Sequence, residues 1–264
     1  MSTKTNPIHH ALQEKRNVMV AVMLRDMRSR FFNHGLGFLL VPVWPLVHML
    51  ILLTIYSVMG RQTPYGESLP VFFATGLLPT LTFMYVSRGM ALSVLSNRNM
   101  LSFPVVTILD VMTARALLEV IGAFLTLVLL FSIFLIRGED PIPADIFEAV
   151  FGYLSVLILA IGAGYLVGIA CMAVKFFVTI WALFLIVLYL LSGVMFVPSR
   201  LPDEATYYLS FNPVFQVVEW VRSAYYPGYA SRHLDKPYVL FYAITCLFLG
   251  LLVERLTRRL LLES

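Results

Sequence analysis

Six stretches of this chain are long and almost without interruption apolar, and nothing else in it constrains the fold as strongly. They cover residues 36–59, 69–91, 116–136, 146–174, 176–197 and 238–252. A bilayer's hydrocarbon core is crossed by about 20 apolar residues in α-helix. With no water at that depth, a spanning backbone can satisfy its own polar groups only as helix or closed barrel. The runs lack the two-residue alternation of barrel strands, so helix is the expected form. Composition agrees. Only 13% of residues are charged and 59% are hydrophobic, where a soluble domain carries about a quarter charged residues. The expected fold class is an all-α integral membrane protein with six transmembrane helices. Pro42 and Pro45 should kink the first, Pro79 lies in the second, and the last is short but can extend into Pro237 and Val253.

Loop charge sets the orientation. With the N-terminus inside, thirteen of the nineteen Lys and Arg fall in inner segments (1–35, 88–115, Lys175 and 255–264) and six in outer ones. Cytoplasmic loops carry that excess, so both termini are expected in the cytoplasm of a multi-pass membrane protein. The first 35 residues are polar and basic, without the apolar core or small-residue cleavage site of a signal peptide. They read as a cytoplasmic N-terminus, residues 1–35, ahead of a transmembrane domain, 36–264. The small excess of Lys and Arg, 19 against 15 acids, suits an anionic lipid surface and is too weak to indicate nucleic acid.

Three segments outside the spans carry further information. In 8–31, Ile8, Leu12, Met19, Met23, Met27 and Phe31 share one helical stripe while Glu14, Arg25 and Arg28 lie elsewhere, the pattern of an amphipathic helix at the inner membrane surface. In 87–115, Asn97, Arg98 and Asn99 precede Met100, Leu101 and Phe103 before Pro104 interrupts, which fits a short helix lying flat. Residues 198–236 contain two short apolar stretches, 203–211 and 213–226, the second opened by Asn212 as N-cap and Pro213 at the first helical position. Neither can span, so a re-entrant helical hairpin on the periplasmic side, between helices five and six, is expected. In the fourth span Ala160, Gly164 and Gly168 recur at four-residue spacing, which lets membrane helices approach closely.

Catalytic chemistry finds no support. A phosphate-cradling loop needs Gly-Lys before Ser or Thr, and none of the four lysines follows a glycine. There is no His-Glu-x-x-His and no Gly-x-Ser-x-Gly, and Cys171 and Cys246 each sit inside an apolar run without metal-ligand spacing. No catalytic residue, metal site or cofactor is expected in this chain. His48, within the first span, is the one ionisable group at depth there. Arginine and aromatic residues are abundant instead. Arg25, Arg28, Arg30, Arg88, Arg98 and Arg115 collect at the inner face, and Phe72, Phe73, Phe83, Tyr85, Trp181, Tyr189, Trp220, Tyr225 and Tyr226 dot the spans and the outer hairpin. Guanidinium groups can hold carboxylate or phosphate, and aromatic faces can stack on sugar rings. Positive-inside bias and interfacial aromatic belts produce the same two patterns without any cargo.

Several stretches resemble a known family in order along nearly the whole chain. Arg25-Asp26-Met27-Arg28-Ser29-Arg30-Phe31 followed by Gly35-Leu36-Gly37-Phe38, then Asn97-Arg98-Asn99-Met100 leading to Arg115-Ala116-Leu117-Leu118-Glu119-Val120, then Ser192-Gly193-Val194-Met195-Phe196, Leu201-Pro202, Asn212-Pro213, Glu219 and Arg222 are similar to the permease subunits of capsular polysaccharide ABC exporters, the KpsM type of the ABC-2 transporters. The chain departs from that family at Trp44, where a Glu commonly precedes the proline, and at Leu39 and Leu40, where an aromatic is usual. The resemblance implies a homodimer with the path between two six-helix subunits, and a separate cytoplasmic ABC ATPase that binds ATP and Mg2+. It further implies a periplasm-spanning polysaccharide co-polymerase-type protein, an outer-membrane exporter, and a lipid-linked polysaccharide as cargo. The flat inner segment from Asn97 to Phe103 would take the stroke of the ATPase, with Arg98 and Asn99 hydrogen-bonding into its groove and Met100, Leu101 and Phe103 filling it. The six inner arginines, with Phe72, Phe83, Tyr85, Trp220, Tyr225 and Tyr226, are the candidates for cargo contact. A permease for O-antigen or teichoic acid is the nearest alternative. An intramembrane glycan- or lipid-modifying enzyme is one of another class, for which convergent acids or histidines at one depth are missing.

The charge asymmetry gives a direct test. A membrane-impermeant thiol reagent applied from outside is expected to label Ser210→Cys or Ser231→Cys and to spare Ser2→Cys and Ser264→Cys; the reverse pattern would refute the orientation.

Overall fold

The computed structural model describes residues 7–29, 38 and 40–263, and among these every regular element is helical. In chain order they are α1 (Pro7–Ser29), α2 (Leu40–Val58), α3 (Leu69–Ser96), a 3-10 turn (Arg98–Ser102), α4 (Ile108–Ile136), α5 (Ile146–Ala173), α6 (Phe177–Leu190), a second 3-10 turn (Pro198–Arg200), α7 (Asp203–Ser210), α8 (Pro213–Tyr225) and α9 (Lys236–Glu263). Five helices are long and apolar enough to cross a membrane: α2 to α5 and the Lys236–Arg258 part of α9. α6, with 14 residues, reaches only about 21 Å at the 1.5 Å rise per residue of a helix.

The helix ends follow local chemistry. Ser68 caps α3, accepting from the Val71 N–H, with Pro70 in the first turn. Asp145 caps α5 through the Glu148 N–H, and Asn212 caps α8 through Val214 N–H. α4 starts eight residues before the apolar run does: Thr107 and Asp110 form a reciprocal capping box there, satisfying N–H groups that a helix start leaves open. α3 likewise continues to Ser96, so the inner connection shrinks to 97–107 and its flat helix to the five-residue turn Arg98–Ser102. α6 stops at Leu190 although the sequence stays apolar to Val197, with Gly193 at φ 76° in the irregular stretch that follows.

α3 is the hub. It is buried along most of its length and packs on α5, α4, α8 and α2. The Ala160, Gly164, Gly168 face of α5 lies on it: Ala160 is wholly buried, and a Cβ on Gly164 would come 2.6 Å from that of Met90. The opposite side of α5 meets α9 through Gly162, where a Cβ would lie 2.5 Å from the Leu247 backbone nitrogen. Lipid tails give little apolar driving force between helices, so close backbone approach of this kind supplies much of the association. Large apolar side chains such as Phe124, Phe151, Phe184 and Phe248 stay exposed on the outer faces, a surface suited to a bilayer rather than to water.

α1 packs along the start of α4, where Val22 is buried against Val111 and Ala114. Its most buried side chains are Val22 and Asp26, while Met19, Met23 and Met27 of the expected apolar stripe are half-buried. The stripe is therefore shared with neighbouring protein at this end. The side chains of Ile8 and Leu12, and residues Arg30, Phe31 and 35–37, lie outside the described residues.

Gly162→Ala is expected to lower the unfolding temperature of the detergent-solubilised protein, because backbone cannot yield as a side chain can; overpacking of this kind costs about 1–3 kcal/mol. Leu183→Ala, on the exposed face of α6, serves as the control that leaves it unchanged.

Candidate functional site

Four polar side chains from three helices meet beneath the C-terminal end of α3. Arg115 of α4 is only 4% exposed. Its Nη1 donates to Asp26 Oδ2 of α1 at 2.7 Å, and its Nη2 donates to Glu119 one turn further along α4. Asn97, the C-cap of α3, donates from Nδ2 to the Ser93 carbonyl at 2.9 Å and to Asp26 Oδ1 at 3.4 Å, and accepts from Arg25 at 3.4 Å. Gly89 of α3 makes this possible, since a Cβ there would collide with the Glu119 carboxylate. Charges taken out of water need pairing of this kind. Nearby, Lys15 of α1 donates to Asp110 at 2.7 Å, tying α1 to the capping box of α4.

Directly above lies a cleft of about 410 Å3 between α2, α3 and α4. Arg115 and Glu119 line one side of it, Tyr85 and Arg88 of α3 another, and Trp44 of α2 a third. Tyr85 is fixed by its hydroxyl's hydrogen bond with His48 Nδ1 at 3.2 Å. Arg88 is exposed and Trp44 is 67% exposed. The cleft thus offers an exposed guanidinium, with no ion-pair partner among the described residues, and two aromatic faces beside a buried ion network. Such a surface can hold a phosphate or carboxylate together with an apolar or sugar-like neighbour. Among the described residues no group of three or more His, Cys, Asp or Glu could hold a metal ion.

The other expected site residues divide into groups. Arg28 and Arg98 are exposed at the inner end, Arg25 is half-buried beside Asn97, and Arg30 lies outside the described residues. Of the inner-loop residues, Asn97 is buried, and Met100 and Leu101 pack beneath α1 against the Val22, Val111, Ala114 cluster. Arg98, Asn99 and Phe103 remain exposed, Phe103 at 59%. Phe83 is buried in the core beside Trp181. Trp220 and Tyr225 are buried on α8, with Trp220 Nε1 donating to Glu148. Phe72 and Tyr226 lie together near the N-terminal end of α3, their rings 5.7 Å apart. The aromatics therefore do not line one track within a single chain. Residues the sequence did not single out also enter. Asp26 joins the inner network, and Trp44, noted only as a departure, stands at the cleft.

Removing Arg115 strands two buried carboxylates. Arg115→Gln is expected to destabilise the solubilised protein by about 3–5 kcal/mol, the usual cost of breaking a buried pair from one side. Adding Asp26→Asn should recover part of that loss, whereas equal loss in single and double variants would refute the network.

A family model described as "ABC-2 type transporter" matches residues 17–226. The chain is 30% identical to the polysialic acid transport protein KpsM of Escherichia coli over 92% of its own length and 95% of the relative's. It is 27% identical to the capsule polysaccharide export inner-membrane protein CtrC of Neisseria meningitidis over 95% and 94% of the two chains. To BexB of Haemophilus influenzae, also named a capsule polysaccharide export inner-membrane protein, identity is 22% over 90% of each. The chain belongs to the ABC-2 type transporter family, as the membrane-embedded permease subunit of a transporter whose ATP is bound by a separate subunit.

Proposed function

We propose that this permease exports a capsule-type polysaccharide, carried on a lipid end, across a bacterial inner membrane. The observation that carries the reading is the kinship with capsule exporters over more than nine-tenths of both chains, 92% and 95% with KpsM. The cleft between α2, α3 and α4 suits the cargo's head. Arg88 would take the anionic group bidentately, and Tyr85 and Trp44 would flank the adjoining sugar or acyl stem. Arg25, Arg28, Arg30 and Arg98 would make the approach to it cationic.

The working unit would be a homodimer with the path between its two copies, driven by two ATPase subunits, and it would hand its cargo to a periplasm-spanning protein and an outer-membrane exporter. Exposed Arg98, Asn99 and Phe103 form the contact surface for the ATPase, and Met100 and Leu101 pass the push to α1. α6 with the irregular 191–197 stretch makes the sixth crossing. α7 and α8 fold back as a hairpin from the periplasmic side, and both termini lie in the cytoplasm, as the thirteen inner Lys and Arg against six outer ones support.

Deleting the gene in its own host is expected to abolish surface polysaccharide and to leave the polymer inside; unchanged surface polysaccharide would overturn the reading. Complementation with Arg88→Ala should restore insertion without export. Arg88→Lys should restore export in part, since it keeps charge but loses the fork. Normal export by Arg88→Ala would show that this arginine serves orientation alone.

A further inference from the structure

The stretch between α6 and α7 breaks the helix where the chain is still apolar, and two arginines take up the carbonyls that the break leaves open. Arg222 of α8 is completely buried. Its Nη1 donates to the Gly193 carbonyl at 2.9 Å and to that of Phe196 at 3.2 Å, and its Nη2 donates to Val194 at 3.3 Å. Arg61, beyond the outer end of α2, donates to the Met195 carbonyl at 3.2 Å. Four successive carbonyls, 193 to 196, are thus held by two guanidinium groups. Arg222 also lies 4.6 Å from the centroid of the Phe72 ring, and Arg61 lies 4.9 Å from that of Tyr56.

The counter-charge of Arg222 is close enough to pair with it, yet no hydrogen bond joins the two. Glu219, one turn back on α8, stands 4.0 Å from Nη1 and accepts from the Tyr229 hydroxyl at 2.6 Å. Arg222 Nε has no hydrogen-bond partner among the described residues. The guanidinium therefore has two available arrangements. In one it is bonded to carbonyls of the break, and in the other it is closed on Glu219 by a shift of about 1 Å, to the 2.7–2.9 Å of a charge-assisted pair. Neither strands a buried charge; the second leaves the carbonyls of 193, 194 and 196 open, so the first is the resting state, and two discrete arrangements are what a switching element needs.

We propose that Arg222 is a latch. On the carbonyls of 193, 194 and 196 it fastens the break to α8 and α3 and holds the outer end of the subunit shut, and transferred to Glu219 it frees the break to move during transport. Arg61 holds the fourth carbonyl from α2. Arg222 is in this sense a positioning residue with no contact to cargo. The latch rests on the reading of the chain as an exporter but not on which polymer it carries.

The test uses the full exporter, with its ATPase, in membranes. The reporter is Ser192→Cys, a buried position, in a background of Cys171→Ala and Cys246→Ala, probed with an impermeant maleimide from outside. With Arg222 and Glu219 intact, labelling is expected to be slow at rest and to rise about tenfold during ATP turnover, as the break opens. Arg222→Gln should bring resting labelling near the turnover rate and lower export per ATP hydrolysed. Arg222→Lys should fall between, since it keeps the charge and some of the bonds. Glu219→Gln keeps a partner for Tyr229 but offers no charge. It should suppress the turnover-dependent rise and lower export about tenfold, with insertion and ATP hydrolysis retained. Inserted Arg222→Gln labelled at the wild-type resting rate would overturn the latch, as would Glu219→Gln with normal export and a normal rise. Should Arg222→Gln not insert, the Glu219→Gln arms decide. Labelling is read without reference to cargo, so a wrong polymer assignment and a wrong latch give different results.

Discussion

Every backbone N–H and C=O at bilayer depth needs a partner inside the protein, and most of this structure follows from that one requirement. It makes the long elements helices, and it explains why their ends fall on groups that can complete them: Ser68, Thr107 with Asp110, Asp145 and Asn212. It also decides what happens beyond α6, where an apolar run stops being helical. Beyond Leu190 the carbonyls of 193–196 would be orphaned, and Arg61 and Arg222 supply the donors that water would give elsewhere.

Charge inside the protein follows the same economy. Arg115 is matched by Asp26 and Glu119 and Arg222 faces Glu219, while at the half-exposed junction of α5, α8 and α9 Lys236 and Trp220 both donate to Glu148. The Arg115 and Glu148 clusters join helices distant in sequence, and Arg222 ties α8 to the 193–196 stretch. Replacing a buried pair by apolar residues is often neutral for stability, whereas removing one partner is costly. Such clusters thus contribute less net energy than specificity. They fix which helix faces which, in an environment where apolar contact alone discriminates poorly.

The sequence made the helices themselves legible, because apolar length is a strong signal and Asn212-Pro213 an unambiguous start. It hid three things. The beginning of α4 looked like loop because Asp110 and Arg115 are charged, and only Asp26, some 90 residues away, makes Arg115 with Glu119 an interior network. The end of α6 looked like continuing span because the arginine that takes its carbonyls comes more than 20 residues later. The inner arginines looked equivalent, yet Arg115 is consumed by carboxylates while Arg88 stands open at the cleft. Composition gives the sign of a charge, and only the packing of α1 against α4 says whether that charge is spoken for. The family resemblance reached further than spacing could, since order along the whole chain survives where single contacts are unreadable.

α3 is what joins these features. Its inner end is Asn97, which bonds to Asp26 and so to Arg115. Two turns earlier Gly89, Arg88 and Tyr85 border the cleft. Near its outer end Phe72 underlies Arg222, and Gly76 leaves just enough room for the guanidinium, with a built Cβ 3.0 Å from Nη2. From Gly76 to Asn97 a straight helix extends about 32 Å, close to the thickness of the bilayer core. A buried helix that touches the Arg115 ion network, the cleft and the Arg222 clamp is one continuous element through which a displacement at one end can reach the other without a chain of soft contacts. Pro79 lies on the same helix between the cleft and the clamp. A proline there removes one hydrogen bond of the ladder and makes it the point where α3 bends most readily. Motion arriving at Asn97 would therefore tilt the outer third of α3 about Pro79, and the first groups that tilt would disturb are Phe72 and Gly76, which carry and confine the guanidinium of Arg222.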